Sequence, residues 1–262
     1  MYKIVITALL LAAFPLVAAS QAQQAAPAQQ QARPAQPPLS EKVFEKDTFH
    51  TSGGDLEITF LLHSTLMFKY QGKTIHVDPY SRAADYTTFP DADLILLTHD
   101  HGDHLDPRVL KELMGPNTTL IYTRDCEKKF PGGKVMRNGE EVTWEGIRIQ
   151  AVPQYIDFEV IADQPHLKNE CNGYILTFGD LRVYNACETV GYPEMATYKP
   201  IDIMFIAMDG IYNLTPEMAI APVKLVMPKI MYPYHYNRAD LTPFIEAFKG
   251  SPDVEVRIRQ LQ

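Results

Sequence analysis

Basic residues are fewer than acidic ones in this sequence, and they are not gathered into a cluster or stripe. The 262 residues include 24 Lys and Arg against 32 Asp and Glu, which gives a formal net charge of −8. Proteins that bind nucleic acid need clustered Lys and Arg to neutralise phosphates, so this composition argues against nucleic acid as a partner. An internal sequence repeat is also absent.

Long apolar runs are scarce too, and the clearest one lies at the N-terminus. Lys3 precedes a mainly apolar stretch, Ile4 to Ala19, that is too short for a comfortable membrane span. Cleavage after Ala22 would leave Ser20 and Ala22 at the positions that signal peptidase recognises, and no cysteine lies nearby to make a lipoprotein. We therefore predict a secretory signal peptide over residues 1–22 and a periplasmic or secreted protein without stable membrane insertion. An uncleaved N-terminal anchor is the alternative.

Residues 23–39 consist almost entirely of Gln, Ala and Pro. Such a composition cannot bury enough apolar surface to offset the entropy lost on ordering, so we predict a disordered linker. The remaining residues, 40–262, are numerous enough to bury a sizeable core and few enough to form one domain. We therefore predict one folded domain over this range.

Short apolar runs dominate the predicted domain and indicate β-strands. Two of them, Leu94–Leu97 and Ile203–Ala207, are apolar on both faces, so each must be covered on both sides. Strand-rich halves with helices interspersed predict an α/β fold, an αββα sandwich of two mixed β-sheets with helices on the outer faces. The other predicted strands are Ile58–Leu62, Thr65–Tyr70, Thr74–Val77, Leu120–Tyr122, Ile147–Val152, Tyr174–Phe178, Arg182–Tyr184, Ile230–Tyr232 and Val254–Ile258.

Two helices are indicated by their start signals. Asp106 can cap a helix over Pro107–Leu113, and Thr215 precedes Pro216, which would take the first position of a second helix. We expect Pro222 to kink or end this second helix, because proline lacks the N–H that an interior position needs.

The chemistry is concentrated in residues 98–104, Thr-His-Asp-His-Gly-Asp-His, directly after a buried strand. A chain leaving a strand end can aim His99 and His101 to one side, while the turn at the glycine redirects Asp103 and His104. Neutral imidazoles and a carboxylate are ligands that suit zinc. Imidazoles crowded this closely would repel one another when protonated, so the arrangement indicates a bound cation.

The pattern His-x-His-x-Asp-His after an apolar strand resembles the signature of the metallo-β-lactamase superfamily. The chain is similar to the branch that includes the ascorbate-phosphate lactonase-like hydrolases. The resemblance implies the metallo-β-lactamase fold and a site for two Zn²⁺ ions, or for Mn²⁺ or Fe²⁺ in their place. Besides the histidine cluster, the landmarks in family order are Leu62-His63-Ser64-Thr65, Val77-Asp78-Pro79, Asn172-Gly173-Tyr174, Val183 to Thr189 and Tyr232-Pro233-Tyr234-His235-Tyr236.

The same resemblance implies which residues bind each of the two ions. His99, His101 and His166 would hold one ion, and Asp103, His104 and His235 the other. Glu188 stands where the family has a bridging aspartate. His166 and His235 are lone residues placed by order and context, so a solvated loop histidine and a buried structural histidine are their respective alternatives.

Two further residues are interpreted as supporting the ligands or contacting substrate. Asp78 lies at a strand end and can accept a ring N–H from a ligand histidine, which would fix its tautomer. Forming the turn before Pro79 is the alternative for Asp78. His63 could contact substrate, or could cap its own loop.

The resemblance implies a hydrolase in which a zinc-bound hydroxide attacks a small-molecule substrate, with Asp103 orienting the nucleophile and relaying its proton. We expect a carbonyl substrate, a lactone, ester or amide, because no Lys or Arg cluster adjoins the motifs to neutralise a phosphate. Lys168 and Arg238 are the basic candidates that keep a phosphodiester or phospholipid substrate as an alternative. A redox protein or a degenerate metal-binding module on the same fold is the alternative of another class.

The chain departs from the family pattern at Cys187 and Glu188, where the family has glycine and aspartate. Glu188 is the expected bridging ligand and the thiolate of Cys187 is its rival; that neither binds is a third alternative. Adjacent residues at a strand end point to opposite faces, so Cys187 is expected to turn away, toward Cys171. A disulfide between these cysteines stays open, because export implies an oxidising compartment but a one-residue slip of register would separate them.

Overall fold

The computed structural model describes residues 38–39, 42–156 and 166–261. The predicted signal peptide, residues 1–22, lies outside the described residues, as does nearly all of the predicted linker. Among the helices of the described ranges, none has the length and apolar character needed to cross a membrane.

The first half of the chain forms a seven-stranded sheet whose strands follow one another in chain order. Neighbouring strands from β1 to β4 are antiparallel, and those from β4 to β7 are parallel. The strands are β1 (Glu45–Thr51), β2 (Gly54–Leu62), β3 (Thr65–Tyr70), β4 (Lys73–Val77), β5 (Ala92–Leu96), β6 (Met114–Tyr122) and β7 (Lys134–Val135).

The second half forms another seven-stranded sheet, again with its strands in chain order. Neighbouring strands from β8 to β11 are antiparallel, and those from β11 to β14 are parallel. The strands are β8 (Glu141–Trp144), β9 (Ile147–Ile156), β10 (His166–Phe178), β11 (Leu181–Cys187), β12 (Ile203–Ala207), β13 (Ile230–Tyr234) and β14 (Glu255–Val256).

The core lies between the two sheets, where aromatic side chains of one sheet meet those of the other. The ring centroid of Phe60 in β2 lies 4.9 Å from that of Tyr232 in β13, and that of Phe68 in β3 lies 5.8 Å from that of Phe178 in β10. Large aromatic rings bury the most apolar area per residue, so these contacts dominate the packing between the sheets.

Helices cover the outer faces and explain why β5 and β12 are apolar on both sides. Beyond β5, Val109 and Leu110 of helix α1 (Pro107–Leu113) pack into a second apolar cluster. The remaining helices are α2 (Arg124–Lys129), α3 (Ile220–Val226) and α4 (Thr242–Phe248). The αββα sandwich with two mixed sheets is therefore confirmed.

One helix prediction was wrong in its details. Residues 216–219 form turns, the helix begins at Ile220, and Pro222 lies in its first turn, where it neither kinks nor ends it. The first four N–H groups of a helix have no partner within the helix, so a proline there costs no hydrogen bond. The predicted helix Pro107–Leu113 with Asp106 as its cap is confirmed.

Asp106 joins the start of helix α1 to the loop that follows β4. Its carboxylate accepts hydrogen bonds from the backbone N–H of Arg108, at 3.1 Å, and of Ser81, at 3.3 Å, and the residue is 3% exposed. We expect Asp106→Ala to lower the free energy of unfolding by about 1–2 kcal/mol, as the loss of a helix cap does. Urea unfolding measures this as a lower midpoint at unchanged slope. Glu112→Ala, at an exposed position of the same helix, should change the free energy of unfolding by no more than about 0.5 kcal/mol, and a loss equal to that of Asp106→Ala would contradict the capping role.

Candidate metal site

The residues that the sequence singled out follow strand ends along one edge of the sandwich. Asp78 follows β4 and residues 98–104 follow β5, while Glu188 follows β11 and His235 follows β13. His63 lies in the turn between β2 and β3, and His166 is the first residue of β10. The parallel strands of each sheet point the same way, so residues just beyond their carboxyl ends gather together.

Several of these residues share an unusual backbone conformation. His63, Asp78, Cys187 and His235 have positive φ angles of 59°, 45°, 55° and 46°. Left-handed backbone is unfavourable for residues other than glycine and concentrates at functional sites, where the surrounding fold enforces it. At each position it turns the chain sharply out of its strand.

The carboxylate of Glu188 is the centre of the arrangement. Its Oε2 lies 3.2 Å from His166 Nε2 and 3.7 Å from His99 Nε2. Its Oε1 lies 3.0 Å from His235 Nε2 and 3.5 Å from His104 Nε2. Glu188 is only 3% exposed, so one buried carboxylate faces two pairs of imidazoles.

Three groups of possible ligand atoms result: two larger ones beside Glu188 and a smaller one of His99, His104 and Cys187. His99, His101 and His166 form a group with Glu188 itself, whereas Asp103, His104 and His235 form a second group with His63. In the first group His101 presents Nδ1, which lies 3.5 Å from His166 Nε2. All seven residues that the sequence proposed as ligands are therefore brought together.

The protonation of the site is set by burial and by these contacts. Burial lowers the pKa of His99 well below its usual value and that of His166 to about 4, which keeps both imidazoles neutral. Burial would raise the pKa of Glu188, but the nearby imidazoles of His104 and His235 outweigh it and hold the pKa well below normal. His99, His166 and Glu188 are thus in the forms that bind metals. Burial would lower the pKa of His235 and of His104, but Asp209 and Glu188 raise that of His235 to about 9 and Asp78 raises that of His104, so a bound cation would displace a proton from each.

Asp78 contacts the side of the His104 imidazole that faces away from Glu188. Its Oδ2 lies 2.9 Å from His104 Nδ1, and its Oδ1 accepts the backbone N–H of Thr98 at 2.8 Å. The Thr98 hydroxyl donates to the same carboxylate at 2.7 Å and lies 3.0 Å from His99 Nδ1. Both imidazoles are thereby oriented with Nε2 toward Glu188.

Asp209 has the corresponding role for His235, and this residue was not predicted from the sequence. Asp209 Oδ2 lies 3.4 Å from His235 Nδ1, while its Oδ1 accepts the backbone N–H groups of Ile211 and Tyr212 at 2.8 and 2.9 Å. The available signal was its position, two residues beyond the buried strand β12, the same kind of strand end that carries Asp78. The side chain of Asn213 completes this side, 3.3 Å from His235 Nδ1.

The orientation predicted for Cys187 was wrong. Its Sγ does not turn toward Cys171 but lies 3.4 Å from Thr98 Oγ1 and 4.0 Å from His104 Nδ1. The β-bulge that follows Asn185 breaks the alternation on which the prediction depended. Cys187 approaches His104 from the ring nitrogen that faces Asp78, on the opposite side from Glu188. Its positive φ also explains why the family pattern has glycine here.

Cys171 and Cys187 do not form a disulfide in this structure; all three cysteines are free and buried. The hairpin register pairs Tyr174 with Asn185, which would place Cys187 opposite Asn172 rather than Cys171. A slip of one residue directs the two side chains apart.

The donor set fits divalent cations. His99 Nε2 and His104 Nε2 are buried and have no hydrogen-bond partner among the described residues. A buried polar nitrogen without a partner costs free energy, and a cation beside Glu188 would satisfy both nitrogens. Imidazole nitrogens and carboxylate oxygens are the usual ligands of zinc and of neighbouring first-row metals.

Two mixed sheets packed face to face, with histidines and carboxylates gathered at their strand ends, define a class of metal-dependent hydrolases. The sequence model of the beta-lactamase superfamily domain matches residues 57–235, from β2 to the last histidine of the site. The chain belongs to the metallo-β-lactamase superfamily, as its sequence resemblance predicted.

Relatives support the same assignment. A crystal structure of a candidate metal-dependent hydrolase from Parabacteroides distasonis is 43% identical, covers 84% of this chain and 100% of its own, and has a TM-score of 0.80. A UPF0173 metal-dependent hydrolase of Pyrococcus horikoshii is 29% identical over 196 residues, 70% of this chain and 85% of that protein. A metallo hydrolase of Ignicoccus hospitalis shares the fold, with a TM-score of 0.64 at 21% identity over 78% of this chain and 95% of its own. The chain is a metal-dependent hydrolase.

We expect Asp209→Asn to weaken metal binding about 10- to 100-fold, because it removes the carboxylate that orients His235. The amide can still accept the N–H groups of the following loop, so the loop should remain folded. Competition with a chromophoric chelator measures the dissociation constant for Zn²⁺.

Asp202→Asn is the matched control, since Asp202 also accepts a backbone N–H, from Arg182 at 2.8 Å, but does not contact the site. Equal zinc affinities in the two variants and the unaltered protein would contradict the role of Asp209.

Proposed function

We propose that the protein is a zinc hydrolase with two ions per chain that cleaves a carbonyl substrate, a lactone, ester or amide. The observation that carries the proposal is the buried Glu188 carboxylate, with His99 and His166 on one oxygen and His104 and His235 on the other. A carboxylate placed in this way is suited to bridge two cations. Asp103 and His101 would complete the two ligand sets.

Divalent cations at this place would lower the pKa of a shared water toward about 7 and polarise a substrate oxygen. The residues of the chain supply orientation and proton transfer. Asp103 is the most accessible carboxylate of the site, with 37% of its side chain exposed, and its Oδ2 lies 3.8 Å from His235 Nε2. It is thus placed to accept a proton from the attacking water and to deliver it to the leaving group.

The surroundings of the site favour a carbonyl over a phosphoryl substrate. Among the ion pairs of the described residues, Asp103 and Glu188 are paired with histidines and not with Lys or Arg. Leu167, next to His166, and Ile211 and Tyr212, next to Asn213, are exposed apolar residues, 40%, 68% and 57% exposed. Exposed apolar side chains beside the site residues in the sequence suit a neutral substrate with alkyl or aryl groups better than a phosphate anion.

The place of action is proposed on the sequence alone. The apolar stretch from Ile4 to Ala19, followed by small residues, supports export, with the enzyme acting in the periplasm or outside the cell. N-terminal sequencing of the exported protein tests this, and an intact N-terminus in a membrane fraction would establish an anchor instead.

A substrate panel tests the reaction class. We expect the zinc-loaded protein to hydrolyse lactones or alkyl esters, with kcat/KM rising as the alkyl group lengthens, and to leave phosphodiesters untouched. Turnover of phosphodiesters alone would contradict the proposal, and β-lactams belong in the panel as a further amide. Asp103→Ala should lower kcat by about 10²-fold or more, the usual contribution of a general base, while full turnover in that variant would exclude this role.

Metal stoichiometry tests the bridging role of Glu188. We expect Glu188→Ala to lose one of the two ions, because the two oxygens of this carboxylate face histidines of both ligand groups. Cys187→Ser should keep both ions, since Sγ faces Thr98 and the Nδ1 side of His104. Native mass spectrometry counts the ions, and the reverse result would transfer the ligand role to the cysteine.

A further inference from the structure

The backbone of His63 has a conformation that is unfavourable for histidine. The residue has a φ of 59° in the turn between β2 and β3, where glycine would be unstrained. Its N–H donates to Leu261 O at 3.1 Å and its carbonyl accepts the N–H of His235 at 3.0 Å. The main chain of His63 is thus fixed to the segment that carries a ligand histidine.

The imidazole of His63 points into the group formed by Asp103, His104 and His235. Its Nε2 lies 3.5 Å from Asp103 Oδ2, and His235 Nε2 lies 3.8 Å from the same oxygen. Its Nδ1 lies 3.2 Å from the hydroxyl of Ser64, which leaves Nε2 as the nitrogen that faces the site.

The spacing matches that of ligands around one cation. Ligand atoms at about 2.0–2.1 Å from a tetrahedral zinc ion are roughly 3.3–3.4 Å apart. On this side of the site Asp103 Oδ2 lies 3.5 Å from His63 Nε2 and 3.8 Å from His235 Nε2. Glu188 Oε1 lies 3.0 Å from His235 Nε2 and 3.5 Å from His104 Nε2. All four ligand atoms of His63, Asp103, His104 and His235 lie within 4.8 Å of one another.

We propose that His63 is a direct ligand of the ion shared by Asp103, His104 and His235, rather than a residue that only supports them. The inference rests on the proposed two-ion function and deepens it. One ion would then have five protein side chains available, counting Glu188, whereas the ion beside His99, His101 and His166 would have four.

This difference in the number of available protein ligands implies different roles for the two ions. An ion with more protein ligands has fewer positions left for substrate, and catalytic sites keep an open position. The substrate oxygen is therefore expected on the side of His99, His101 and His166.

The test removes the imidazole and returns it from solution. His63→Gly suits the left-handed backbone, and the side chain is 14% exposed, so added imidazole can reach the vacated place. Metal-free protein is titrated with Co²⁺ while the visible spectrum and the heat of binding are recorded. We expect one of the two Co²⁺ ions to bind more than about 100-fold more weakly, beyond the usual effect of a supporting residue. Millimolar imidazole should restore the spectrum of the unaltered protein.

Gln71→Gly is the matched control, because Gln71 also has a positive φ, of 49°, in the exposed turn between β3 and β4. It should bind both ions as the unaltered protein does. Unchanged binding and spectrum in His63→Gly would overturn the proposal. A weakening of up to about 100-fold that imidazole does not reverse would overturn it as well, since a supporting role produces that result.

These readouts do not require a substrate, so the two proposals fail separately. If the unaltered protein binds two Co²⁺ ions but hydrolyses nothing in the panel, the proposed reaction fails and the assignment of His63 is still decided. If the unaltered protein binds fewer than two ions, the two-ion function itself fails.

Discussion

The buried Glu188 carboxylate is the interaction on which the rest of the site depends. Removing a charge from water is costly unless opposite charge and hydrogen bonds compensate for it. Here four imidazole nitrogens surround the two oxygens, with two on each, at 3.0–3.7 Å. Because the arrangement is repeated on both oxygens, there is room for a cation on each side, and one acidic residue is surrounded by histidines from three separate segments.

The sandwich supplies those segments because both sheets end their parallel strands at the same edge. Each sheet contributes an aspartate behind a histidine, Asp78 behind His104 from the first and Asp209 behind His235 from the second. The residues with left-handed backbone conformation at these strand ends concentrate backbone strain around the site. The apolar contacts between the sheets, with Phe60 against Tyr232, provide the rigidity that holds this strain.

The strands that could be predicted were those with strong apolar patterns. β3 and β12 were predicted with their full bounds, because their side chains are buried on one or both faces. β1, with the sequence Glu-Lys-Asp-Thr-Phe-His-Thr, was missed because an edge strand needs few apolar residues and is stabilised by pairing with β2. The start of helix α3 was misplaced because Thr215 and Pro216 begin a turn with the same local chemistry as a helix cap.

The sequence by itself determined the site within residues 98–104, because spacing within one loop fixes which side chains can share an ion. It also determined the family, since the landmarks occur in order along the chain. Only the tertiary structure decided which lone residues join that loop: the roles of Asp209 and Cys187 depend on a strand end and on a bulge in another sheet. Contacts between residues more than 80 positions apart, such as that between Cys187 and Thr98, are set by the packing of the sheets and leave no local pattern in the sequence.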